Sequence, residues 1–107
     1  MKDIEMIQKL SVLHCIYQMI ASADGNIDAE RDHAAIDFAL SELQLPSVYS
    51  WDSSLGLNSY DCFIHISTLS DDNKKSFKTL LHTIAGMGGN KPVRINCADS
   101  IFQLCKI

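Results

Sequence analysis

At 107 residues, 47% hydrophobic and 21% charged, with 5 glycines and 2 prolines, the chain has the balance of one compact domain with a packed core, which argues against disorder. Its net charge of -4 removes the broad basic footprint that a phosphate backbone requires, so no nucleic-acid partner is expected. Asp3, Glu5, Gln8 and Lys9 interrupt the first apolar residues and no run approaches the roughly 20 of a membrane span, so the expectation is a cytoplasmic chain with no membrane partner.

Cys15, Cys62, Cys97 and Cys105 are scattered, with no CxxC pair and no histidine at metal-finger spacing, so reduced and largely buried thiols are expected. Charge is divided unevenly along the chain. Residues 1–61 hold ten acids against Lys2, Lys9 and Arg31, a balance of -7, whereas residues 62–107 hold three acids against six bases, a balance of +3. The two halves are therefore complementary, within one chain or between two.

In chain order, the apolar positions from Ile4 to Ala23 form two adjacent stripes, Met6, Leu10, Leu13, Tyr17, Ile20 and Val12, Ile16, Met19, Ala23, at helical spacing. Only a narrow polar strip through Gln8, Ser11, Gln18 and Ser22 remains, so this helix is expected to be buried among the others. Asp24-Gly25 ends it, because glycine enters the left-handed conformation at no steric cost. Asp28 caps a second helix to about Leu43, with Glu30 and Asp32 in its first turn, Ile36, Ala39, Leu40 and Leu43 inward, and His33, Asp37 and Ser41 outward. Leu45-Pro46 stops it.

Residues 46–57, rich in serine and carrying Trp51, read as a loop with room for one helical turn. Asn58 or Ser59 caps a short helix to about Leu69, with Phe63, Ile66 and Leu69 buried and Asp61 and His65 exposed. Ser70-Asp71-Asp72 starts another, with Phe77, Leu80, Leu81 and Ile84 inward and Lys74, Lys75, Lys78 and His82 outward. Gly86 to Asn90 breaks it, and a last helix lies between Pro92 and Lys106 with Ile101, Phe102 and Cys105 in the core. No segment alternates as a strand does, so the expected class is all-α, with five to six helices in one domain over residues 1–107.

Shifting the chain by 64 residues lays Ile20-Ala21-Ser22-Ala23-Asp24-Gly25-Asn26 on Ile84-Ala85-Gly86-Met87-Gly88-Gly89-Asn90, with four of seven positions identical, and aligns Ala34 with Ala98, Phe38 with Phe102 and Leu40 with Leu104. This reads as two pseudo-repeated helical hairpins packed around the buried N-terminal helix. Helix ends in general favour glycine and asparagine, which is the plainer reading. The copies differ at the turn: Asp24, Asp28, Glu30 and Asp32 of the first become Gly88, Pro92, Arg94 and Asn96 in the second. Acids retained in one copy only suggest a role besides shaping the turn.

Asp24, Asp28, Glu30 and Asp32 are therefore the candidate metal ligands, four carboxylates able to offer oxygens to a hard divalent cation such as Ca2+ or Mg2+. The other reading is that they cap a helix and complement its dipole. An EF-hand register places Ile20 at the first ligand position and Arg31 at the bidentate glutamate, which excludes that motif. His33 with Asp37 and His65 with Asp61 read as surface pairs one turn apart, and His14 beside Cys15 as a buried hydrogen-bonded residue. Gly86 to Lys91 lacks the ending of a phosphate loop, and no catalytic residue set or further cofactor is assembled by the sequence.

A helix ending in Ala23-Asp24-Gly25, then Asn26-Ile27-Asp28, a second helix ending in Leu43-Gln44-Leu45, and a later Leu69-Ser70-Asp71-Asp72-Asn73-Lys74-Lys75 helix together resemble the TerB-like (tellurite-resistance) family over nearly the whole chain. The resemblance implies an all-helical cytoplasmic protein associated with metal-oxyanion and other stress responses, bearing an acidic surface for divalent cations. Arg31 stands where the family's glutamate is expected, with Glu30 one residue early. The functional expectation is a non-enzymatic TerB-like module whose acidic helix junction takes a divalent cation or a basic partner. The alternative is a protein-interaction or homo-oligomerisation domain with no bound ion.

Overall fold

Five α-helices and one short 3-10 turn make up the computed structural model, which describes residues 1, 3–49 and 56–107. The first, α1, runs Met6–Asp24 and buries Val12, Leu13, Cys15, Ile16, Tyr17, Met19 and Ile20, so apolar side chains cover most of its circumference. It contacts each of the other four α-helices. Ser11, on the polar strip, is fully buried as well; its hydroxyl donates to the Ile7 carbonyl at 2.7 Å, which removes the cost of taking it out of water. Gly25 closes the helix at φ 82°, its amide donating to the Ala21 carbonyl.

The second helix, α2, spans Ala29–Leu43 and is capped by Asp28, whose side chain accepts from the Arg31 amide. Its end is set by Gln44 in the left-handed region at φ 54°, before Leu45 and Pro46. Ser47–Tyr49 forms the 3-10 turn. The rest of the expected loop over 50–55, including Trp51, lies outside the described residues.

Asn58 caps α3, Ser59–Ser67, through the Asp61 amide, and Ser70 caps α4, Asp71–Ala85, through the Asn73 amide. The α3 helix stops short of Leu69 because the Thr68 hydroxyl donates to the His65 carbonyl at 2.6 Å and takes up a backbone acceptor at the helix end. Phe63, expected in the core, is half-buried. The last helix, α5, covers Lys91–Leu104 with Pro92 in its first turn, where a missing amide proton costs nothing.

Among the described residues every regular element is helical and no strand occurs. The core joins the inner faces of all five helices, with Phe77 of α4 and Phe102 of α5 meeting edge to face at 5.7 Å between ring centroids. His82 adds its ring to Phe102 at 5.3 Å. No helix is long and apolar enough to cross a membrane, among the described residues.

Candidate functional site

The turn that follows α1 and the turn that precedes α5 lie against each other, and the acids singled out in the sequence meet their counter-charges there. Arg94 carries the contact. It stands on the inward stripe of α5 with Ala98, Ile101, Phe102 and Cys105, at spacings of three and four residues, so the packing that buries those side chains buries the guanidinium too. Its side chain is 0% exposed.

A buried guanidinium has to be paired, since an isolated charge in an apolar interior costs far more than packing returns. Arg94 Nε donates to Asp24 Oδ2 at 2.6 Å and Nη2 donates to Asp32 Oδ1 at 2.7 Å. Arg31 approaches the same carboxylate from the other side: Nη2 donates to Asp32 Oδ2 at 2.7 Å and Nε to Oδ1 at 3.2 Å. Asp32 accepts in addition from the Asp28 amide at 2.8 Å. Two aspartates and two arginines thus make a set of zero net charge, with the Asp32 side chain at 0% exposure in its middle.

Asp24 has a second task. Asn90, the residue preceding α5, makes no side-chain cap, and its amide donates instead to Asp24 Oδ1 at 3.1 Å. A carboxylate from the end of α1 therefore satisfies the start of α5 and places negative charge at its positive end. Burial drives both carboxyls up, but hydrogen bonds and nearby positive charge outweigh it. For Asp24 these come from Arg94 and the Asn90 amide; for Asp32 they come from Arg31, Arg94 and the Asp28 amide, and both carboxyls lie below the usual aspartate range. Asp32, through its side-chain hydrogen bonds, in turn raises Arg31.

The glycine-rich turn is fitted to the arginines. Gly89, at φ 56°, lies so close over Arg94 that a Cβ there would run into the guanidinium. Gly88, at φ 98°, would place a Cβ 3.0 Å from the Arg31 carbonyl oxygen. Read from the sequence as a helix break, this segment has a specific spatial demand.

Of the four expected ligands, then, Asp24 and Asp32 come together around Arg94, Asp28 is engaged as the α2 cap, accepting from the Arg31 amide at 2.9 Å, and Glu30 lies exposed. Among the described residues no group of three or more His, Cys, Asp or Glu side chains is placed to hold a metal ion. Arg94 itself went unnoticed as a site residue in the sequence, although two signals pointed to it: its place on the α5 stripe, and the exchange of Glu30 for Arg94 between the aligned turns.

The histidines occupy other places. His33 Nδ1 lies 3.2 Å from Asp37 on the exposed face of α2. His14 Nε2 meets Ser59 Oγ at 2.9 Å, linking α1 to the start of α3, and His82 Nε2 meets Asp99 at 3.0 Å, linking α4 to α5. Compared with family models, with curated proteins and with solved structures, the chain gave no match in any of the three.

Proposed function

We propose that this chain is a non-enzymatic helical interaction module of TerB-like type, that it works without a bound ion, and that it self-associates through the outer face of α3 and α5. The observation that carries this reading is an apolar strip left open on that face: Tyr60 is 73% exposed, Ile64 47% and Leu104 59%, around a groove of about 440 Å3 floored by Phe63 and Cys105. Large apolar side chains grouped on an otherwise polar surface mark places where another molecule binds. A second copy is the occupant we assign to it: the lining carries one charged side chain, Lys106, and is otherwise neutral, with Ser59 and Ser67 beside the apolar residues. A two-fold contact presents the same patch from both sides, which a nearly neutral apolar patch allows and a patch of one strong sign of charge would oppose.

The pairing of Asp24 and Asp32 with two arginines supports the absence of an ion at the junction. A divalent cation there would have to displace guanidiniums already bonded to both carboxylates.

Sedimentation across a concentration series tests the proposal. Mass should rise with concentration in the natural chain and stay at the monomer value in Ile64→Asp, while Val48→Ser, on the exposed 3-10 turn, should behave as the natural chain does. A monomer at every concentration up to the solubility limit would rule out self-association. A melting temperature raised by Ca2+ or Mg2+, with the gain lost in Asp24→Asn combined with Glu30→Gln, would move the reading to an ion-binding module.

A further inference from the structure

Three of the four cysteines, spread over 90 residues of sequence, come together where α1, α3 and α5 meet: Cys15, Cys62 and Cys105, all buried. Cys15 and Cys105 are side-chain hydrogen-bond partners. Cys62 lies beside Ser11. Burial alone would make all three inert packing residues. Cys105 differs because, although 1% exposed, it is among the residues that line the α3–α5 groove, beside Leu104 and Lys106.

We infer that Cys15 and Cys105 form a peroxide-oxidisable pair, with Cys105 the sulfur attacked first and Cys15 the one that resolves it into an internal disulfide. The groove admits a small hydroperoxide to the Cys105 sulfur. That sulfur, as thiolate, attacks the terminal oxygen of the hydroperoxide; the O–O bond breaks, an alcohol (water, for hydrogen peroxide) leaves with the proton, and Cys105 becomes a sulfenic acid. The Cys15 sulfur then displaces hydroxide from it, the S–S bond forms, and the departing hydroxide leaves as water with the Cys15 proton. Two thiols lose two electrons in total and one hydroperoxide is reduced by two.

The hydrogen bond between the sulfurs favours this order of events. It holds the Cys105 thiol below its ordinary range and pushes the Cys15 thiol, further raised by burial, well above, so the sulfur that faces the groove is the one that ionises. Position in the fold favours it as well. Cys105 ends α5 immediately before Lys106 turns into the left-handed region at φ 59°, and backbone at a helix end adjusts to a new bond more readily than a helix interior. The inference does not require self-association.

The test treats the full-length folded chain with hydrogen peroxide, at a dilution where it is monomeric. The product is then alkylated under denaturing conditions, digested, and mapped by mass spectrometry. Expected are a loss of two hydrogens, a linked pair of peptides carrying Cys15 and Cys105, and full reversal by dithiothreitol. Cys62→Ser and Cys97→Ser should still form the link; Cys15→Ser should instead accumulate sulfenic acid at Cys105, trapped by dimedone, and circular dichroism on each variant confirms that it is folded. Oxidation confined to the half-buried Cys97, a link through Cys62 in place of Cys15, a disulfide between two chains, or four thiols still alkylatable after treatment would each overturn the assignment.

Discussion

Replacing Arg94 with methionine tests the central ion-pair set most directly, because methionine fills a similar apolar volume and removes only the charge and its donors. Two carboxylates lose a partner in the change: Asp24, bonded at 2.6 Å, and Asp32, bonded at 2.7 Å and fully buried. Removing one member of a buried pair typically costs about 3–5 kcal/mol, since the charge left behind has no compensation. Here Arg31 still reaches Asp32 at 2.7 Å, so the lower end, about 3 kcal/mol, is expected. For a domain near 100 residues this is a fall in Tm of roughly 10–20 °C. Urea unfolding at neutral pH gives the free energy and calorimetry gives the midpoint. Adding Asp32→Asn to Arg94→Met should recover about 1–2 kcal/mol of the loss, because the stranded charge is then gone. A single-variant loss under about 1 kcal/mol, or a double variant as unstable as the sum of the two single changes, would refute the account of Arg94 as a buried and paired cation.

Acid unfolding provides a second check. The Asp24 and Asp32 carboxyls are depressed in the folded state, so their contribution is complete above the unfolded aspartate value of about 3.9 and is lost as pH falls through the lower folded values. Stability measured by urea at a series of pH values should therefore fall below about pH 4, and the fall should be shallower in Asp32→Asn. Gly89→Ala puts a Cβ against the Arg94 guanidinium at a backbone φ of 56°, and should cost about 1–3 kcal/mol in the same assay, well beyond Gly25→Ala, where nothing lies near the added carbon. Truncating Phe77, fully buried and packed edge to face on Phe102, should cost about 3–5 kcal/mol. Ser70→Ala removes the acceptor for the Asn73 amide at the start of α4 and should cost about 1 kcal/mol.

Most of the helices were readable from the sequence because each carries its own punctuation. Gly25 closes α1, and Asp28, Asn58 and Ser70 cap α2, α3 and α4 with the bonds their side chains are suited to make. The junction was only half readable. Asp24 and Asp32 could be picked out as unusual, but nothing local distinguishes a carboxylate waiting for a cation from one answered by an arginine 62 or 70 residues further along the chain. The same holds for Arg31: as a departure from an acidic pattern it is an anomaly, and as the outer guanidinium on Asp32 it completes the neutral set. The thiol cluster and the α3–α5 groove were invisible for a related reason. Each is assembled from helices whose mutual rotation no spacing rule gives, and Cys15, Cys62 and Cys105 look like isolated apolar residues until α1, α3 and α5 are packed.

The dependence of Asp24 on residues 90 and 94 reaches into how the chain acquires its structure. Asp24, at the end of α1, finds its counter-charge only after α5 has arrived, and Asp32, in the first turn of α2, gains its second guanidinium then, a closure across some 60–70 residues. Long closures are paid for in chain entropy before their contacts form, so docking of α5 belongs to the late, cooperative part of folding. A polypeptide ending before Arg94 would leave Asp32 with Arg31 as its one guanidinium and Asp24 without its bond to Arg94, so the junction between the earlier helices should settle less firmly into its native packing.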